Sequence, residues 1–357
     1  MAYNHGVYVN TKDRQQKGST FKGDAVIAVI ATKKIKEKEI FEVDYSTYQE
    51  DLKGNDGLLN GLKLLYAQAQ PKVFILEKAK DAKDVESTYG VRPTILVLDA
   101  LAEMGTNEFM GDAKTETNVF DFASLNTLAK DLKIDVVLSV KDDPGDFSLN
   151  QPNIIACYPS VKVGDSDVPL AYAVAGMMSF YDFWLSPSNH RIEGVNALSK
   201  TIRWEDCGDC DANKLNEKGY ITAIRAGGEF RLWGNRYSLD YRFDEQKSKA
   251  MSFIPVRRVA NFISQAITKA IFQAVDKNLT RNFLDNVESI VNGVLYSLQG
   301  KGAITYGKCT QNKEKNTPDR LSLGEVHFDV HFTPAYPVES IDFTVTVTDE
   351  GLKGLVK

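Results

Sequence analysis

Cys207 and Cys210, set in Asp206-Cys207-Gly208-Asp209-Cys210-Asp211, are the only closely spaced thiols of the chain, and a Cys-x-x-Cys pair can hold zinc or cycle as a dithiol. Zinc asks for two further ligands, and neither a second Cys-x-x-Cys nor a closely spaced His pair is present. A thioredoxin-type dithiol opens a helix directly after a strand, whereas these residues read as an acidic loop. His327 and His331 share one side of a predicted strand but stand roughly 13 Å apart at strand rise, too far to chelate one ion. His5 and His190 have no nucleophile beside them and read as polar surface or interface residues. Gly300-Lys301-Gly302 resembles the end of a phosphate loop, yet no Ser or Thr follows the lysine and the segment closes a helix instead of opening one. G-x-G-x-x-G after a strand, G-x-S-x-G and H-E-x-x-H are absent. The residues therefore predict no catalytic group, no metal and no cofactor. The alternative is a cytosolic α/β enzyme or redox protein built on Cys207 and Cys210.

Any such site would need elements to position it. A chain of 357 residues exceeds one ordinary core, so two domains, or one with a large insertion, are expected. A formal charge of −5 argues against a polyanion-coating protein, since most of the surface would repel nucleic acid. No basic start followed by an apolar run marks a secretory signal, so the cytosol is the expected compartment. The apolar stretch 168–185 contains Pro169, Gly176 and Asp182 and predicts a buried helix, not a membrane span.

Continuous β-branched runs at 25–30, 73–76, 95–98 and 134–140 predict strands buried on both faces. Helical patterns at 57–68 and 122–132 separate them, so this half reads as an α/β layer with a largely parallel or mixed sheet. Beyond about residue 238 the pattern changes. Apolar residues at helical spacing predict a long helix over 256–277 behind Pro255, and a second over 283–298 stopped by Gly300 and Gly302. Period two then takes over. Val326, Phe328, Val330 and Phe332 alternate with polar neighbours, as do Ile341, Phe343, Val345 and Val347, with Pro334 and Pro337 between the two strands.

Other residues demand geometry without supplying chemistry. Gly227-Gly228 between 220–226 and 230–233 reads as a tight hairpin turn, and Gly234-Asn235 offers a second positive-φ position beside Trp233. Leu185-Ser186-Pro187-Ser188-Asn189-His190 is another turn-rich stretch. Trp204 and Trp233 read as core or domain-interface aromatics. Arg257 and Arg258 open the long helix, where cations oppose its dipole, so they call for carboxylate partners within the subunit or across an interface.

Taken in order, these segments resemble the sheath proteins of contractile phage tails, R-type bacteriocins and related injection systems. The resemblance runs from His5-Gly6-Val7-Tyr8-Val9 through the first apolar strand to Pro187-Ser188-Asn189, Gly194-Val195 and Ile202-Arg203-Trp204. It continues through Leu232-Trp233-Gly234-Asn235-Arg236 and Phe253-Ile254-x-Val256-Arg257-Arg258, ending with Gly324, Pro334, Pro337 and Glu339-Ser340-Ile341. The Cys-x-x-Cys loop is no part of it.

The resemblance implies an α+β fold: a linking arm over 1–20, an outward α/β domain over 21–240, a tube-facing domain of two long helices over 241–335, and a strand arm over 336–357. It implies arms, His5 to Val9 and Ile341 with Phe343, Val345 and Val347, that complete the sheets of neighbours, and a tube or intersubunit contact at Arg257 and Arg258. The partners it implies are further copies of the chain, an inner tail tube protein, and baseplate and tail terminator proteins, with no nucleic acid and no membrane insertion. The location would be the bacterial host cytoplasm during assembly, then a virion tail or released particle. The length suggests a minimal version without extra outer domains.

Overall fold

A computed structural model describes residues 25–31, 35–36, 39–102, 108–110, 119–141, 143–144, 148–204, 209–239 and 249–350. The expected N-terminal arm, His5 to Val9, and Cys207 lie outside these residues.

The main sheet has eight strands: β1 (Val26–Ile30), β2 (Ile40–Val43), β3 (Lys72–Leu76), β4 (Ile95–Ala102), β5 (Asp135–Val140), β6 (Ile154–Cys157), β7 (Tyr220–Ala226) and β8 (Glu229–Trp233). Their spatial order is β8-β7-β6-β5-β4-β1-β3-β2. The six central strands are parallel, and β2 and β8 close the edges antiparallel. Burial explains the continuous apolar runs. Ile27, Val29, Val73 and Ile75 face one layer of helices, while Val26, Ala28, Phe74 and Leu76 face the other. A sheet covered on both sides has no polar face to alternate with.

Helices α1 (Asp56–Gln68) and α3 (Leu170–Phe180) cover the first face, and α2 (Phe122–Leu132) and the short α4 (Asp211–Glu217) cover the second. Helix α3 occupies Leu170–Phe180 of the predicted 168–185 stretch, follows a short strand that ends at Val168, and is buried from Leu170 to Met178. Among the described residues no helix is long and apolar enough to cross a membrane.

A third apolar cluster lies around helices α5 (Ile254–Ile271) and α6 (Arg281–Gly300) and a two-stranded sheet of β9 (Ile304–Gln311) and β10 (Phe328–Pro334). Val259, Ile263 and Ile267 of α5 meet Val291, Leu295 and Leu298 of α6 there. The Thr280 hydroxyl caps α6 by accepting from Phe283 N–H at 3.1 Å. The reading of one helix over 256–277 is corrected: α5 stops at Ile271 and a single 3-10 turn, Phe272–Ala274, follows. Past Ile271 the apolar stripe leaves the core, and Phe272 is 69% exposed.

The mixed sheet, its helices and the separate helical pair make the α+β class. Strand β9 was not expected, because Gly307, Lys308 and Thr310 break its apolar pattern; only Ile304, Gly307 and Cys309 are buried.

Candidate assembly site

Two segments far apart in the chain form one structure. The hairpin turn at Gly227 and Gly228 takes φ of +60° and +84°, joining β7 to β8 as the glycines predict. Along the free side of β8 runs the turn-rich segment 186–192. Asn189 N–H donates to Leu232 C=O at 2.7 Å, Leu232 N–H to His190 C=O at 3.0 Å, and Ile192 N–H to Phe230 C=O at 2.8 Å. The Ser188 hydroxyl accepts from Gly234 N–H at 3.0 Å. Pro187, Ser188 and Asn189 thus cap an edge strand that would otherwise offer a row of unpaired backbone groups.

The special backbone positions follow from this packing. Asn189 sits at φ +62° and Gly234 at φ +120°. A Cβ on Gly234 would come within 2.8 Å of Asn216 Nδ2 and 3.3 Å of Ile221 Cα, and one on Gly194 within 3.2 Å of Ala67 Cβ. Trp204 and Trp233 pack against the second face with ring centroids 5.3 Å apart, as core-facing aromatics should. The Trp204 indole N–H donates to Arg225 C=O at 3.2 Å. His190 stacks on Tyr181, centroids 3.9 Å apart; burial, with a smaller push from Arg231, lowers its pKa.

The residues after Trp233 lead to the helical pair. Asn235 is buried and its C=O accepts from Ile254 N–H at 2.8 Å, which fixes the start of α5. Arg236 points its guanidinium at the far end of the chain. Its Nε donates to Glu339 Oε1 at 2.7 Å, Nη2 donates to Glu339 Oε2, and Nη1 donates to the Ser252 hydroxyl at 2.6 Å. Its carbon centre lies 3.7 Å from the Phe253 ring centroid. A two-pronged Arg–carboxylate pair over an aromatic face is about the most directional contact a cation can make.

Just beyond Glu339 the chain leaves the body. Ile341 is 71% exposed, Phe343 85%, Val345 88% and Val347 96%, and among the described residues this segment joins no sheet. The period-two pattern is present without a covered face. Among the described residues the β9–β10 sheet has two strands, and its β9 side meets α6: Asn292 donates to Cys309 C=O at 3.1 Å and accepts from Cys309 N–H at 2.8 Å.

Arg257 and Arg258 both make contacts within the subunit. Arg258 Nε lies 3.3 Å from Asp135 Oδ2, its Nη2 donates to Met178 C=O at 2.8 Å, and the residue is 9% exposed. Tyr237 O–H donates to Asp135 Oδ1. Burial pushes the Asp135 carboxyl above its ordinary range, and Arg258 first, then Tyr237 and Arg257, pull it back. Arg257 Nη1 donates to Asn153 Oδ1 at 2.7 Å and Nε to Met251 C=O at 3.0 Å. Asp135, at the start of β5, is the carboxylate partner of Arg258, while Arg257 donates to neutral oxygens.

The thiol expectation also changes. Cys210 is not in an open acidic loop but directly before α4, buried with Ala212 and Leu215 in the second face of the core. Among the described residues no three His, Cys, Asp or Glu side chains gather to hold a metal. His331 lies opposite Lys308 on β10, and His327 precedes that strand, its Nε2 3.1 Å from Arg320 Nη1.

Residues 246–348 match the family described as phage tail sheath C-terminal domain. A prophage major tail sheath protein of Pseudomonas aeruginosa (strain UCBPP-PA14) is 31% identical over 54% of this chain and 51% of its own length. The tail sheath protein of Escherichia phage P2 is 27% identical over 76% of this chain and 67% of its own. This chain therefore spans about half the length of the first relative. In fold it is similar to the helical sheath of the anti-feeding prophage in its contracted state, with a TM-score of 0.68 at 19% identity, covering 97% of this chain and 99% of that one.

Proposed function

From the premise that this chain belongs to the tail sheath family, we propose that it is the structural subunit of a contractile sheath. It polymerises helically around an inner tube in an extended, metastable state and contracts to drive that tube through a target envelope. The carrying observation is the segment from Ile341 to Val347, whose apolar residues alternate with polar ones and lie exposed beyond the folded body. Before it in the chain comes the β9–β10 sheet, which has two strands among the described residues. An extended segment of one copy can complete the sheet of the next through main-chain hydrogen bonds. Links of this head-to-tail kind do not close on themselves, so they propagate a helix.

The mechanism is mechanical. Contraction exchanges one packing of subunits for another, and alternative packings of folded units differ by about a few kcal/mol. Summed over a long lattice, that difference does the work without a nucleotide, and the strand links keep neighbours joined while the bodies move. No side chain is assigned a catalytic role, and no cofactor or metal enters. The relatives are structural proteins, which supports a non-enzymatic reading.

The partners we assign are further copies of the chain, an inner tail tube protein, and baseplate and tail terminator proteins, without nucleic acid and without membrane insertion. Assembly takes place in the bacterial host cytoplasm, and the product is a virion tail or a released particle. The N-terminal arm, His5 to Val9, is the second donor in this scheme. The proposed division remains 1–20 and 336–357 as arms around an outer domain, 21–240, and an inner one, 241–335. Negative-stain electron microscopy of the purified protein tests the proposal: hollow tubules are expected, and a monodisperse species at high concentration contradicts it.

A further inference from the structure

We infer that Arg236 and Glu339 form an anchor that fixes the point from which the C-terminal segment leaves the subunit, so that another copy meets it on a held base and not on a swinging tether. This rests on the sheath reading above and deepens it by naming two positioning residues.

The cation is fixed independently of the carboxylate. Arg236 and Phe253 face each other in an isolated antiparallel bridge, flanked by Tyr237 N–H donating to Ser252 C=O at 2.9 Å and Ile254 N–H donating to Asn235 C=O at 2.8 Å. The backbone around Arg236 is thereby tied to the start of α5. Its side chain is tied as well, to the Ser252 hydroxyl and over the Phe253 ring, and is 19% exposed. From this fixed position Nε and Nη2 meet the two carboxylate oxygens of Glu339. Such a fork sets direction in a way that a single flexible ion pair does not.

The effect falls on the connection after β10. Ala335 N–H donates to Ala303 C=O at 3.2 Å, Tyr336 packs on Phe253 with ring centroids 6.4 Å apart, Glu339 is gripped, and from Ile341 the apolar side chains are exposed. Without the grip, the last backbone hydrogen bond to the body among the described residues would be that of Ala335. Residues 336–340 would then swing, and their freedom would be lost each time 341–347 bound elsewhere. The anchored chain has lost that freedom already on folding, which raises affinity without adding a contact at the receiving site. The composition of the connection agrees: Pro337 fixes its own φ and holds Tyr336 extended. The base also lies where the main sheet meets the helical pair, since Arg236 follows β8 and Phe253 directly precedes α5. The segment therefore takes its direction from both domains.

The test determines the lowest protein concentration that gives sedimenting tubules, checked by electron microscopy, for full-length wild type, Glu339→Ala, and the charge swap Arg236→Glu with Glu339→Arg. The melting midpoint of each dilute protein reads the fold separately. Glu339→Ala is expected to need a roughly tenfold higher concentration at an unchanged melting midpoint, and the swap to bring the threshold back toward the wild-type value. Equal thresholds for wild type and Glu339→Ala overturn the anchor. So does a threshold that rises only in step with a lowered melting midpoint, as a pair serving the fold alone would give, and so does a folded swap that restores nothing. A wild-type chain that forms no tubules at any concentration overturns the sheath reading itself, which keeps the two failures apart.

Discussion

Arg258 and Asp135 meet across the seam between helix α5 and the main sheet, Nε to Oδ2 at 3.3 Å, with 9% and 6% of their side chains exposed. Two charges so sealed are held by each other, and one alone would be stranded. Replacing Arg258 with Met is therefore expected to cost about 3–5 kcal/mol of stability, read as a lowered denaturant midpoint. Charge reversal at both Arg257 and Arg258 is expected to unfold the seam before it alters any contact between subunits. Unchanged stability in Arg258→Met would show that the pair carries no such load.

The His190 ring titrates below its ordinary value of 6.5, chiefly because it is partly buried against Tyr181. The sign follows from linkage. The unfolded chain takes up the proton first, so the contribution of this group is complete above the ordinary value and is lost as pH falls through the lowered one. The thermal midpoint of His190→Phe, which keeps the stack but cannot titrate, should fall less than that of wild type between about pH 7.5 and 5. Parallel curves would remove His190 from the account.

Gly234 combines φ of +120° with a neighbour 2.8 Å from any added Cβ. Gly234→Ala should then cost about 1–3 kcal/mol, as strained positions do. Ala at Gly228, which has open space around it, pays for its φ of +84° alone and should cost less. Equal melting shifts for the two would mean that the contact with Asn216 is not felt.

For the thiols, the double change Cys207→Ser with Cys210→Ala is expected to leave tubule formation intact and the purified wild type free of stoichiometric zinc. Zinc in the wild type, or a lost reaction in the variant, would revive the redox or metal reading.

Much of the main domain was readable because its signals are local. The runs behind β1, β3 and β4 are unbroken apolar stretches, that of β5 is interrupted only by Asp135 and Ser139, and the stripes of α2 and α6 announce helices directly. Strand β9 was not readable, since half its residues face outward and Lys308 and Thr310 interrupt the pattern. The Arg258–Asp135 and Arg236–Glu339 pairings were not readable either. Nothing near Arg258 in sequence points to Asp135, and nothing near Arg236 points to Glu339; only the fold brings each pair together. The unfavourable position of Arg257 and Arg258 against the helix dipole was the one local clue that a partner existed. It could not say on which side of the subunit surface that partner lay.

In the proposed function the exposed C-terminal segment is lent to another copy. Ending the chain after Ser340 removes that segment while keeping Glu339 and its grip on Arg236. The truncated protein should melt as the full chain does at equal dilution, yet sediment as a monomer and give no tubules by electron microscopy. Tubules of normal length from the truncated chain would contradict the account.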